Sequence, residues 1–322
     1  TVSRVLNDRP DVSEDVRRKV LSAIKNSNYI PNNSARDLVR TKSDAVGLVV
    51  RGVSNPFYTD IIRAIERTIT DAGFTMVMQQ IGTCDDEVKC GAVMEREKRL
   101  QGIVFLGGRF DYTPADLAML NVPFVCCSYS NRYGTLIEGE YSSVSIADGD
   151  TAQQAVEELY RHGHRRIAAL ISRPNDQSIS QLRYEGYVQA LESHGIPVDP
   201  ELVISTGGFG AKDAYRAVQE KMAENVDFTA LFAIADSMAI GAMRALMDAG
   251  RRIPEDCSVI AIDGLELSAY IEPPLTTLCQ PMEEMGRRSA EILLDMVRHK
   301  GSHACELLPT TLRQGRSVAA PG

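Results

Sequence analysis

The 322-residue chain has no tryptophan, no run approaching 18 consecutive apolar residues and no Cys-x-x-Cys pair. The second absence excludes a membrane-spanning helix. The third, with an odd total of seven cysteines (84, 90, 126, 127, 257, 279 and 305) mostly set in apolar runs, argues against a disulfide framework. Those thiols read as reduced core residues of a cytoplasmic protein rather than as nucleophiles. Tryptophan apart, the composition is ordinary for a soluble α/β protein, 44% hydrophobic and 24% charged. At this length two or three compact units can each bury a core. The chain also opens without an initiator methionine, so inspection does not exclude a signal peptide.

Enzyme signatures are scarce too. Ser22 and Lys25 satisfy S-x-x-K, but inside a helix far from any cleft. STGGFGAKD lacks Walker spacing and reads as a loop entering a helix. His162 and His164 flank Gly163 at a helix end, where cationic side chains suit the macrodipole, and no further metal ligands accompany them. No cofactor motif is present.

What is there is an asymmetry of charge. Residues 1–42 hold nine Lys/Arg and five Asp/Glu, whereas the remaining 280 hold 26 basic and 38 acidic residues. A basic head on an acidic body is the pattern of a nucleic-acid-binding module joined to a part that stays off nucleic acid. In the head, Val2, Val5 and Leu6 fall on one helical face and leave Ser3, Arg4 and Asn7 on the other. A second helix starts at the Ser13 cap with Glu14 and Asp15 in its first turn, and its Val16, Val20, Ala23 and Ile24 match the first apolar face. Pro31 stops it. The segment PNNSARDLV then suffices for under two helical turns, too short to be stable alone.

From Asp44 apolar strand runs alternate with amphipathic helices. AVGLVV, FTMVMQQ, GIVFLGG and VPFVCC form one series. A second begins near Val144 with VSIA and continues through RRIAALIS, LVIST, TALFAI and SVIAID. Gly73, Gly163, Gly195 and Gly250 stand where helix C-caps are needed. This pattern predicts an α/β fold of two doubly wound parallel-sheet subdomains behind a small all-α head, with a ligand cleft beyond the carboxyl ends of the strands.

At TVSRVLN and YIPNNSARDL, and on through VGLVV…SNPFY, GHRRIA, LRYEGYVQAL, ADSMAIGAM and PLTTLCQP, the sequence resembles the lactose/galactose repressor family of bacterial transcription factors. The resemblance spans essentially the whole chain. It implies an effector-controlled, DNA-binding repressor of a carbohydrate operon, acting as a homodimer, with a periplasmic-binding-protein-like body. It also implies that the chain begins inside the recognition helix of a helix-turn-helix, and a chain so truncated is expected to bind operator DNA poorly. The boundaries it suggests are 1–30 for the head, 31–43 for a hinge, 44–128 with 281–305 for the N-terminal subdomain, and 129–280 with 306–322 for the C-terminal one.

By the same resemblance Arg4 is the base-contacting residue, with Thr1 and Ser3 as phosphate or base neighbours. The chemistry agrees, since an arginine on a recognition helix can donate two bonds to guanine. Asn33, Arg36 and Leu38 belong to a hinge helix that forms on DNA, where the leucine wedges a base step apart. The resemblance places a small sugar-like effector against Ser54, Asn55, Phe57, Asp148, Arg183, Asp236, Asp263 and Gln280. Arg183 and Asp263 supply a planar donor and a carboxylate acceptor suited to a polyol, and Phe57 an aromatic face. Asp236 is equally readable as a helix cap. Three departures from the family pattern, Ala235 before Asp236, AIDG at 261–264 and Arg51-Gly52 after the first strand, set this pocket apart from those of lactose- and galactose-type repressors. A periplasmic-type solute-binding protein and a catabolite regulator with a phosphoprotein partner are the alternatives. The basic head argues against the first.

Overall fold

The structure is a computed structural model that describes Val5 and residues 12–26, 44–52, 56–83, 85–175 and 177–322. The expected DNA contacts Thr1, Ser3, Arg4, Asn33, Arg36 and Leu38, and the expected effector contacts Ser54 and Asn55, lie outside the described residues. The chain divides into two units, Thr1–Ser43 and Asp44–Gly322.

In the first unit the described helix is α1 (Glu14–Asn26). It begins where Ser13 predicts, with the Arg17 N–H donating to the Ser13 carbonyl at 2.9 Å and Lys19 pairing with Asp15 at 2.9 Å.

The second unit holds two six-stranded sheets of matching plan. The first is built from β1 (Ala45–Arg51), α2 (Tyr58–Asp71), β2 (Thr75–Ile81), α3 (Glu87–Lys98), β3 (Gly102–Leu106), the short α4 (Pro114–Leu117), β4 (Phe124–Cys127) and β5 (Ser143–Ser145). The second is built from α5 (Asp148–Arg161), β6 (Ile167–Ile171), α6 (Ile179–Ser193), β7 (Val203–Ser205), α7 (Ala211–Ala223), β8 (Ala230–Ala233), α8 (Asp236–Asp248), β9 (Ser258–Asp263) and β10 (Thr276–Cys279). The chain then returns through α9 (Met282–His299) and β11 (Cys305–Leu307) to the first sheet, and ends with β12 (Thr311–Arg313) in the second. Strand orders are β11-β5-β4-β3-β1-β2 and β12-β10-β9-β8-β6-β7. All pairings are parallel except β10 with β12.

The apolar runs explain the sheets. Every residue of β3, β4, β6, β8 and β9 is buried, as strands covered by helices on both faces must be. Gly73, Gly163, Gly195 and Gly250 all take positive φ at helix ends, a conformation that disfavours any side chain.

Two boundaries are corrected. Val144 does not open the second series: β5 lies in the first sheet, between β4 and β11. The chain therefore crosses between sheets at residues 146–147, again at 280–281 and last between β11 and β12, so the expected break after 128 falls one strand early and the expected break after 305 cuts through β11. A three-residue strand followed by a helix looks alike in sequence whichever sheet accepts its hydrogen bonds.

Candidate ligand-binding cleft

In both sheets the strand order reverses at a central strand, between β1 and β3 in one and between β6 and β8 in the other. Crevices form at such switch points, beyond the carboxyl ends of the strands. Asp148 opens α5 just after the first crossing, Arg183 sits on α6, Asp263 ends β9 and Gln280 precedes the second crossing. The structure brings these four expected residues together.

Arg183 is their hub. It is only 2% exposed, and its Nε donates to Asp148 Oδ1 at 2.9 Å. Its Nη1 donates to the Ile234 carbonyl and lies 3.4 Å from Asp263 Oδ1. Gln280 Nε2 donates to that same Asp263 oxygen at 2.8 Å. The close approach of two helices makes the hub possible. A Cβ on Gly186 of α6 would lie 2.1 Å from the Gly149 carbonyl of α5, so only glycine lets Arg183 reach Asp148.

Electrostatically the floor is crowded, with two buried carboxylates facing one guanidinium. Burial pushes the Asp148 carboxyl upward, against the pull of Arg183. Asp263 is pushed up to about 7, chiefly by burial and further by the Asp236 charge, against Arg183 and Gln280. Its backbone takes a φ of 140°, a strained value for a residue with a side chain, and such strain concentrates at functional sites. Asp263 Oδ2 and Gln280 Oε1 are buried acceptors without a hydrogen-bond partner among the described residues.

Asp236 and Phe57 depart from expectation. Asp236 Oδ2 accepts from the Leu265 N–H at 2.8 Å and from Ser268 Oγ at 2.7 Å, and Oδ1 accepts from Thr277 Oγ1 at 2.5 Å. Both oxygens are spent on pinning the loop after β9 and strand β10 to α8, so Asp236 is a scaffold group, and it caps no N–H of its own helix. Phe57 is 3% exposed and packs in the core with Val50, Ile61 and Leu106, which removes it as a stacking surface.

Its neighbour Tyr58 was missed in the sequence. The Tyr58 hydroxyl lies 2.5 Å from where a Cβ on Gly107 would stand, at the carboxyl end of β3. Burial, with Cys127 and Asp263 adding to it, pushes this phenol up to about 12, and Arg183 and Arg51 oppose that shift. The departure at Arg51 also has a counterpart: its Nε lies 3.5 Å from Glu87 Oε2, and its Nη2 donates to the Thr83 carbonyl at 2.5 Å. Glu87 is fully buried at the start of α3, accepting from the Arg109 N–H at 2.8 Å and from the Tyr112 hydroxyl. Neither Tyr58 nor Glu87 carried a spacing signal; the unusual Arg51 was the only pointer to this wall.

Elsewhere, His164 is buried between Thr229 Oγ1 at 2.9 Å and the Ala319 carbonyl at 2.8 Å. Burial lowers its pKa, so the expected cation at this helix end is a neutral ring. Cys126, Cys127 and Cys257 are buried as expected, whereas Cys305 is exposed on the edge strand β11. Among the described residues no group of His, Cys, Asp or Glu is arranged to hold a metal, and no helix is long and apolar enough to cross a membrane.

Two sheets of one plan with a polar hub at their crossings define a binding-protein-like clamshell. The family model of a periplasmic binding protein-like domain matches residues 156–318, and that of bacterial regulatory proteins of the lacI family matches residues 1–32. The chain is 38% identical to the HTH-type transcriptional regulator MalR of Clostridium butyricum over 316 residues, covering 97% of this chain and 93% of that protein. Among solved structures it is similar to the transcriptional regulator CelR–cellobiose complex, with 32% identity, a TM-score of 0.76, and 99% and 95% of the two chains covered. It is also similar to the lac repressor dimer bound to operator and the anti-inducer ONPF, with 26% identity, a TM-score of 0.80, and 99% and 94% covered. The chain belongs to the lacI family of bacterial regulatory proteins, and it is a DNA-binding transcriptional regulator.

Proposed function

We propose that the protein is a cytoplasmic, homodimeric repressor of a carbohydrate operon whose operator affinity is set by a neutral sugar bound among Asp148, Arg183, Asp263 and Gln280. One observation carries this reading: Asp263 Oδ2 and Gln280 Oε1 are buried acceptors awaiting donors, beside a guanidinium already matched by two carboxylates. Hydroxyl groups supply such donors without adding charge. A phosphorylated or carboxylated ligand brings further negative charge to a floor that already has an excess. The similarity to CelR, whose structure is a complex with cellobiose, supports a sugar as the effector class.

Control follows from where these residues sit. Asp148 and Gln280 flank two of the crossings between the sheets, so a ligand that grips them acts at the pivot of the clamshell. The effector changes DNA affinity only by as much as it binds the open and closed forms differently. In the head, Arg4 reads a guanine with Thr1 and Ser3 as phosphate or base neighbours, and Asn33, Arg36 and Leu38 contact the minor groove. No catalytic step is assigned.

A thermal-shift screen of glucose, galactose, ribose, maltose and cellobiose tests the effector class. At least one should raise the melting temperature of the wild type and not of Arg183→Ala. An Arg183→Ala protein that loses operator binding while keeping sugar binding would overturn the site. In the intact protein Arg4→Ala should weaken cognate operator binding by about 1–3 kcal/mol, and an unchanged sequence preference would remove Arg4 from the interface.

A further inference from the structure

Strand β5 reads Ser-Val-Ser, and the alternation of a strand sends these side chains to opposite faces. Val144 is buried in the apolar core. Ser143 and Ser145, 8% and 3% exposed, share the other face, and the register sets them beside Cys305 and Leu307 of the edge strand β11. These four residues line a cavity of about 480 Å³. Tyr129, Tyr141 and Glu138 close it from the segment between β4 and β5, and Asp148 and Asp150 from the first turn of α5. Of the four hub residues described above, only Asp148 lines it.

The charge of this lining has one sign. It holds the carboxylates of Glu138, Asp148, Asp150 and Glu306 and no lysine, arginine or histidine. Arg288 pairs with Glu306, its Nε donating at 2.9 Å, whereas Glu138 and Asp150 have no ion pair among the described residues. Asp148 is 4% exposed; its Oδ1 accepts from Arg183, but its Oδ2 has no hydrogen-bond partner among the described residues. The buried Ser143 hydroxyl has none there either. Buried polar atoms of this kind call for a partner inside the cavity. The hub calls for the same sign of partner, because Arg183 alone faces both Asp148 and Asp263 and a second cation offsets the excess. The α5 N-terminus favours anions, yet its own Asp148 and Asp150 already supply that charge.

The remaining wall is aromatic. Tyr129 and Tyr141 meet at 80° with ring centroids 5.8 Å apart, and Tyr129 is fixed by stacking on Tyr112 at 5.3 Å. An aromatic face attracts a cation and also covers an alkyl chain. A bare metal ion would leave that wall unused, and among the described residues no group of His, Cys, Asp or Glu is arranged to hold one.

We propose that this cavity is a second ligand site, separate from the effector floor, and that it takes a small organic ammonium ion. The ammonium N–H groups donate to Asp148 Oδ2 and to the Ser143 hydroxyl, Glu138 and Asp150 supply the countercharge, and the carbon chain lies against Tyr141. Because Asp148 also holds Arg183, occupancy of this site reaches the hub through a single side chain. The inference does not depend on the effector being a sugar.

Calorimetric titration of the full chain with putrescine and with choline, each beside its uncharged isostere butanediol or dimethylbutanol, tests it. At least one amine should bind saturably and both alcohols should give no binding heat. Glu138→Gln, a change on an exposed side chain, and Tyr141→Leu should each weaken the amine by about threefold or more. Glu255→Gln, an exposed carboxylate far from this cavity in the lining, should leave it unchanged. Should Tyr141→Leu not fold, Glu138→Gln decides alone. Amine binding that survives Glu138→Gln, or that the alcohols or magnesium chloride reproduce, overturns the proposal. Failure of both amines to bind at about 10 mM overturns it as well and leaves the effector reading standing, since Arg183, Asp263 and Gln280 are outside this cavity.

Discussion

The pockets of Asp236 and Asp263 lie in one subdomain and bury their carboxylates to a similar degree, 0% and 2% exposed, yet they are built to opposite ends. Asp236 meets a backbone N–H and two hydroxyls that occupy both of its oxygens. Asp263 shares one oxygen between Arg183 and Gln280 and leaves the other without a partner. Burial alone therefore does not separate scaffold from site. Saturation does: a carboxylate whose acceptors are all used holds the fold, and one left short is available to a ligand.

Substitutions sharpen this contrast. Asp236→Ala removes three accepting contacts and strands the Leu265 N–H, Ser268 and Thr277 groups, so it should lower the unfolding free energy by about 3–5 kcal/mol in a urea titration. A loss under about 1 kcal/mol would erase the distinction. Next in size, Arg183→Ala leaves Asp148 and Asp263 buried without their cation; stability should fall by about 2–4 kcal/mol, and effector affinity by roughly 30-fold or more in calorimetry.

Asp263→Asn has the opposite sign. The folded Asp263 carboxyl lies at about 7, above its unfolded value, so its favourable contribution belongs to low pH and is lost as pH rises from about 4 to 7. The amide carries no charge and can donate to Gln280 Oε1. The variant should therefore gain about 1–2 kcal/mol at pH 8 and little at pH 5, while losing effector affinity. A destabilised Asn variant at pH 8 would place Asp263 with Asp236.

The smallest effect belongs to His164, saturated by Thr229 and Ala319. Its folded pKa is lowered, so the unfolded chain takes up the proton first, and stability should fall as pH drops below about 6.5. His164→Gln should flatten the melting temperature between pH 7.5 and 5.5 by a few degrees at most.

The sequence made the alternation of strands and helices legible because each strand is covered on both faces, and the four glycines at helix ends because their positive φ leaves few alternatives. Asp148, Arg183, Asp263 and Gln280 were legible only through the family resemblance. Nothing in their spacing shows that one guanidinium faces two carboxylates. What stayed hidden is where the chain's hydrogen bonds lead over long separations. Strand β5 chose the first sheet, and Asp236 turned to Thr277, 41 residues away. Phe57 turned into the core, and two adjacent aromatics at a helix start give no sign of which packs more deeply.

The most direct measurement is the affinity of the intact protein for its own promoter DNA, by fluorescence anisotropy at fixed salt, with and without the sugar selected by thermal shift. The sugar should weaken wild-type binding by about tenfold or more, and Arg183→Ala should bind the same DNA within about twofold of wild type and ignore the sugar. A wild-type protein that binds the sugar with no change in DNA affinity would contradict it.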